Sequence, residues 1–191
     1  FEAEALIPAF VSTTIAYCVY GLAFGFRPLF VVEPVVFNNP MLLAPLALLA
    51  LMMALMSLLY VRTFYGLTAL FHRLPGPRHI RPAIGALATG LVGLGIYFGI
   101  RQLAGAEAGH ESLSVLSFGY GILQDIFSGK LPGDLTVAIV LLAAVGLGKI
   151  LTTSLTIGSG GSGGVFGPSM VIGGTLGAAV GLVLRQWMPG V

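Results

Sequence analysis

The stretch Gly158-Ser159-Gly160-Gly161-Ser162-Gly163-Gly164-Val165-Phe166-Gly167-Pro168 lies between two long apolar runs, residues 137–156 and 170–187. It carries no charge and almost no side chain. Five glycines between 158 and 164 remove the Cβ atoms that would hold a partner away from the backbone. Pro168 has no amide hydrogen, which costs nothing in the first turn of a helix. The pattern predicts a turn that enters the N-terminus of a helix inside a membrane. Such an end presents free N–H groups and partial positive charge, and so attracts anions.

The surroundings support a membrane setting. Of 191 residues, 57% are hydrophobic and only 8% charged, against roughly 25% charged in a soluble domain. Mean hydropathy is +0.99. The formal charge of +2 is small, and no basic cluster is interleaved with aromatics, so nucleic acid is not an expected partner. The single cysteine, Cys18, lies in an apolar run. It has no partner for an intrachain disulfide, and its context predicts a buried, inert thiol.

Outward from the glycines, residues 135–156 form a spanning helix with Lys149 inside it. A lysine within a membrane helix is a functional candidate by default; its place near the helix end favours snorkelling or local packing. After the glycines, 165–187 reads as a helix ending at Arg185 and Trp187, which mark an interface. Towards the N-terminus, residues 5–24 are long enough to cross about 30 Å of hydrocarbon, and Ser12, Thr13 and Thr14 within them can bond back to the helix carbonyls. Glu33-Pro34 and Asn38-Asn39-Pro40 are loop signals flanking a short apolar stretch at the interface. Residues 41–61 form a strong transmembrane helix closed by Arg62. Then comes the densest basic segment, with Arg73, Arg78, Arg81, His72 and His79, broken at Pro75-Gly76-Pro77. The positive-inside rule places it in the cytoplasm. Residues 82–100 return across the membrane, and the spacing of Gly85 to Thr89 and Ala86 to Gly90 lets helices approach closely. Residues 101–134 are net acidic, belong on the opposite side, and read as short helices around Gly119-Tyr120-Gly121.

Four roles compete for the glycine stretch. It can be a structural elbow with no ligand. A nucleotide loop requires a lysine after the last glycine, and none is there. Gly160-Gly161-Ser162-Gly163 fits the Gly-x-Ser-Gly pattern of rhomboid-like intramembrane proteases, but Ser162 needs a general base within reach, and His72, His79 and His110 all read as loop residues. The fourth role is an anion site, in which the backbone amides of Val165 and Phe166 face a small ion. That arrangement suits permeation, where the ion must both enter and leave.

The longer run Lys149-Ile150-Leu151-Thr152-Thr153-Ser154-Leu155-Thr156-Ile157-Gly158 through Ser169-Met170 resembles the CLC family of chloride channels and transporters. Gly164, Phe166 and Pro168 fit that family's Gly-x-Phe-x-Pro motif; Gly167 falls where alanine or valine is more usual. Leu6-Ile7-Pro8, the basic loop between two long helices and Gly119-Tyr120-Gly121 also resemble bacterial members, so the resemblance extends over the whole chain.

The resemblance implies an all-α polytopic membrane protein, with residues 1–191 forming the central part of one inverted-repeat transmembrane domain built from broken, re-entrant helices. It implies transport of chloride or a related anion, as a channel or a proton-coupled antiporter, with no enzymatic activity and no cofactor beyond the transported ion. The anion site would comprise Gly164, Val165, Phe166, Gly167 and Pro168, with the amides of Val165 and Phe166 touching the central chloride. Residues 5–24 would lie at a homodimer interface, each subunit having its own pore in a bacterial inner membrane. The family's Gly-Ser-Gly-Ile-Pro and Gly-Arg-Glu-Gly-Pro motifs and its pore tyrosine are absent, and its inner glutamate would fall just before Phe1. The chain is therefore expected to supply part of an ion site whose other walls lie in the missing N- and C-terminal parts.

Overall fold

A computed structural model describes residues 3–32, 39–75 and 77–187. The chain divides into two compact units, Phe1–Val31 and Val32–Val191.

The first unit is α1, Ala3–Phe24. The hydroxyls of Ser12 and Thr13 donate to the Ala9 carbonyl at 3.1 and 2.6 Å, and that of Thr14 donates to Phe10 at 2.8 Å. Their polarity is spent within the helix, as expected of an apolar span. Cys18 is not buried but exposed. The apolar run around it is a single helix packed in its own unit by the Phe26 ring, which lies against Gly21 and Tyr17, so an apolar run alone does not imply burial. Residues 33–38, which hold the apolar stretch expected at the interface, lie outside the described residues.

In the second unit a short 3₁₀ turn, Pro40–Leu42, leads into α2, Leu43–Arg73. The Asn39 side chain accepts from the Met41 amide at 3.0 Å and caps this start. Arg62 does not close the helix. Nothing after it breaks the backbone until Pro75, and its exposed charged head can leave the apolar face while the helix continues. Helix α3, Ile80–Ser112, follows the proline-flanked turn. His72 is therefore helical, its Nδ1–H donating to the Thr68 carbonyl at 2.8 Å. His79 is the residue before α3, and His110 lies in its last turn. His79 is thus the loop residue expected, whereas His72 and His110 are helical.

Helix α3 is two pieces. At Gly105 the backbone turns to φ 89°, ψ 176°, a conformation that only glycine adopts readily. The chain then doubles back along α3: Gly109 packs on Arg101, the His110 ring lies 5.7 Å from that of Tyr97, and Leu116 covers Gly93. Residues 106–118 thus re-enter the helix layer instead of forming an external loop. Helix α4, Tyr120–Phe127, leads out again.

Helix α5, Leu135–Gly158, is the centre of this unit. Most of its surface is buried, through Leu141, Leu142, Val145, Lys149, Ile150 and Ser154 among others, while one stripe at Val140, Leu147 and Leu151 stays exposed. It packs against α2, α3 and the last helix, α6, Phe166–Trp187. Small residues set the approach of α3: a Cβ on Gly85 would lie 2.1 Å from Ser159 Oγ and 2.7 Å from the Leu155 carbonyl. Four residues on, the Thr89 hydroxyl lies 3.1 Å from that of Thr156. The Gly85–Thr89 spacing therefore does mark a helix contact. Ile150, Ile172 and Leu176 join α5 to α6, with Met53, Met56 and Tyr60 of α2 against them.

The architecture is all-α and polytopic. Among the described residues, five helices are long and apolar enough to cross a membrane. Large side chains such as Leu22, Leu58, Leu87 and Leu103 stand exposed around them. In water such a surface would associate; in lipid it is the solvated face.

Candidate functional site

The end of α5 accounts for two of the glycines. Gly160 takes φ +98°, its amide donates to the Ile157 carbonyl at 3.0 Å, and the Gly161 amide donates to Thr156 at 3.0 Å. This is a Schellman C-cap, which satisfies carbonyls the helix would leave orphaned. A Cβ on Gly161 would meet the Thr156 carbonyl at 2.5 Å. Gly163 and Gly164 are different. Neither has a positive φ, a Cβ on Gly164 would meet nothing within 4 Å, and one on Gly163 would make only ordinary contact at 3.5 Å. No packing inside this chain requires them to be glycine. Their bare backbone is open to something outside it.

Helix α6 starts without a capping side chain. The residue before it is Val165, its first turn holds no acid, and its first backbone bond runs from Ser169 N–H to the Val165 carbonyl at 3.0 Å. Pro168 has no N–H. The amides of Phe166 and Gly167 therefore precede the helix ladder, as does that of Val165 just outside it. The Val165 and Phe166 side chains are 49% and 76% exposed, so they do not cover those amides. On the far side, Gly167 admits the Tyr120 hydroxyl to within 3.1 Å of where a Cβ would stand.

Beside this helix end lies a cavity of about 320 Å³. The glycine stretch contributes Ser162, Gly163, Gly164 and Pro168. Helix α5 contributes Lys149, Thr152, Thr153 and Thr156, α3 contributes Thr89, and the re-entrant segment contributes residues 115–118. Of the five residues expected at an anion site, Gly164 and Pro168 line this space, and Val165, Phe166 and Gly167, between them in sequence, do not. None of the three histidines lines it, so Ser162 has no imidazole base there.

Lys149 does not snorkel. It is 5% exposed, and its ammonium donates to the carbonyls of Val115, at 3.3 Å, and of Ser117. Thr152 donates to the same Val115 carbonyl at 3.0 Å. A re-entrant segment has carbonyls that no regular helix bond satisfies, and inside a membrane they need donors from the protein. Lys149 and Thr152 supply them. Lys149, Thr152 and Thr156 follow a spacing of three and four, which puts them on one helix face. That stripe was visible in the sequence; what it faces was not.

A model of the voltage-gated chloride channel family matches residues 1–191. The chain belongs to the voltage-gated chloride channel (CLC) family. Among curated proteins it is 26% identical over 179 residues to MJ0305, an uncharacterized protein of Methanocaldococcus jannaschii, across 94% of this chain and 40% of that one. It is also 41% identical over 49 residues to the H(+)/Cl(-) exchange transporter ClcA of Vibrio cholerae serotype O1, across 26% of this chain and 10% of ClcA. The chain thus spans less than half the length of these curated relatives. No solved structure matches it significantly. Membership of the CLC family makes this an integral, multi-pass membrane protein, in keeping with its five apolar helices.

Proposed function

We propose that the protein moves chloride or a related small anion across the membrane, as a channel or a proton-coupled antiporter, and that α6 supplies one wall of the ion site. The observation that carries this reading is the uncapped start of α6. Amides at Val165, Phe166 and Gly167 stand outside the helix ladder, next to the open backbone of Gly163 and Gly164. An anion that sheds water there meets N–H donors and the positive end of a helix dipole, with no acidic side chain in the first turn to repel it. Family membership supports chloride as the ion, and the name of the ClcA relative supports proton exchange as one of the two modes. The 191 residues act as the central part of a single transmembrane domain, with the remaining walls of the site supplied by the rest of the protein. We assign α1 to contact with a second copy in a homodimer.

Anion efflux from liposomes containing the intact protein tests the site. Val165→Pro removes one amide donor and is expected to slow chloride efflux about tenfold, equivalent to losing one hydrogen bond to a charged group of about 1.5 kcal/mol. Phe166→Ala is expected to slow efflux by loosening the same turn, while Ser162→Ala retains it. Efflux unchanged in correctly folded Val165→Pro and Phe166→Ala proteins would sink the assignment.

A further inference from the structure

A second cavity, of about 620 Å³, opens at the other face of the α5 terminus, beneath the turn between α2 and α3. Its walls include His72, Arg78, Arg81 and the backbone of Ser159–Gly160; no carboxylate lines it. The sequence holds no Asp or Glu between Pro34 and Ala106, so no carboxylate adjoins these arginines along the chain. Arg81 is held in place: Nη2 donates to the Leu74 carbonyl at 3.0 Å, while its Nε is buried and makes no hydrogen bond. A buried donor left unpaired is costly; Arg81 and Arg78 both line the cavity.

We propose that this cavity binds a phosphate-bearing anion, with Arg78 and Arg81 as its principal ligands. The planar guanidinium fork matches the spacing of phosphoryl oxygens and can bind two of them at once. Two arginines line this cavity and none lines the one beside α6, so the two sites differ in kind. Its position at a basic turn between membrane helices is where anionic headgroups of the cytoplasmic leaflet lie. The ligand chemistry is shared by such a headgroup and by free inorganic phosphate.

The test uses the intact protein in nanodiscs of phosphatidylcholine alone, or with one fifth phosphatidylglycerol, and read by native mass spectrometry. A second arm titrates inorganic phosphate in phosphatidylcholine nanodiscs and reads the shift in melting temperature. Phosphatidylglycerol retained by the wild type and reduced at least fivefold by Arg78→Gln identifies a lipid site. A phosphate-induced melting shift abolished by the same substitution identifies a free-anion site. Arg81→Lys, which keeps the charge but loses the fork, is expected to weaken either ligand. Arg62→Gln, at a basic residue outside the cavity, is expected to change neither. Absence of both ligands from the wild type, or equal weakening by Arg62→Gln and Arg78→Gln, overturns the proposal.

Discussion

Lys149 shows how one residue can be read in two ways, and its partners decide between them. A lysine that served only to attract an anion would be spared by the fold; one whose ammonium ties down two carbonyls would not. Burial at 5% exposure with bonds to Val115 and Ser117 puts Lys149 in the second group. Lys149→Met keeps the length and the apolar stem but leaves those carbonyls without their donor. The expected cost is about 1–3 kcal/mol for a buried group left unsatisfied, seen as a lower melting temperature in detergent. Thr152→Ala, which removes the shared bond to Val115 and the longer one to the Lys149 carbonyl at 3.4 Å, is expected to cost about 1 kcal/mol. A Lys149→Met protein that melts like the wild type while losing anion efflux would instead make the lysine an electrostatic element of the site. The carbonyl partners were not legible beforehand. Lys149 and Ser117 are far apart in sequence, and only the reversal at Gly105 brings them together.

At the scale of elements, the spans were legible because each is a long apolar run, and so was the break before α6, because glycine and proline cluster there. The reversal at Gly105 was not. A single glycine inside a helical pattern reads as a mild weakness, since nothing local shows that its φ must be positive. Arg62 misled in the opposite direction: a charge resembled a terminus, although a charged side chain leaves the helical backbone bonds intact. The α3–α5 contact, by contrast, was readable from small-residue spacing, and it makes a paired prediction. Gly85→Ala puts a Cβ 2.7 Å from the Leu155 backbone oxygen, which cannot rotate away as the Ser159 hydroxyl can. The helices must separate, at a cost of about 1–3 kcal/mol. Gly95→Ala, on the same helix, meets nothing within 4 Å and gains helix propensity of up to about 1 kcal/mol. Thermal unfolding of the two variants should therefore shift in opposite directions. Equal shifts would mean that Gly85 is not at a tight contact.

At the scale of the whole chain, charge and geometry together predict an orientation in the membrane. The straight part of α3, residues 80–104, rises roughly 37 Å at 1.5 Å per residue, enough to cross about 30 Å of hydrocarbon. Its two ends therefore lie on opposite sides. Arg73, Arg78 and Arg81 gather at one end, whereas Arg101 and Lys130 are the only Lys or Arg between 101 and 134. Orientation follows Lys and Arg rather than net charge, so the α2–α3 turn faces the cytoplasm. The turn after α4 then faces outward, although the intervening segment dips back between the helices. Replacing exposed Cys18 with serine gives a background in which a single new cysteine reports its side. Lys130→Cys is expected to react with a membrane-impermeant maleimide on intact cells, and His79→Cys only after permeabilisation. Labelling of both from outside would mean that residues 80–104 do not span the bilayer, and the reverse pattern would put the arginine-lined cavity on the outer face. The same experiment separates a re-entrant segment from an external loop. With residues 106–118 folded back against α3, Ser112→Cys stays unreactive from either side, because Ser112 is fully buried and its hydroxyl is bonded to the Gly109 carbonyl at 2.6 Å.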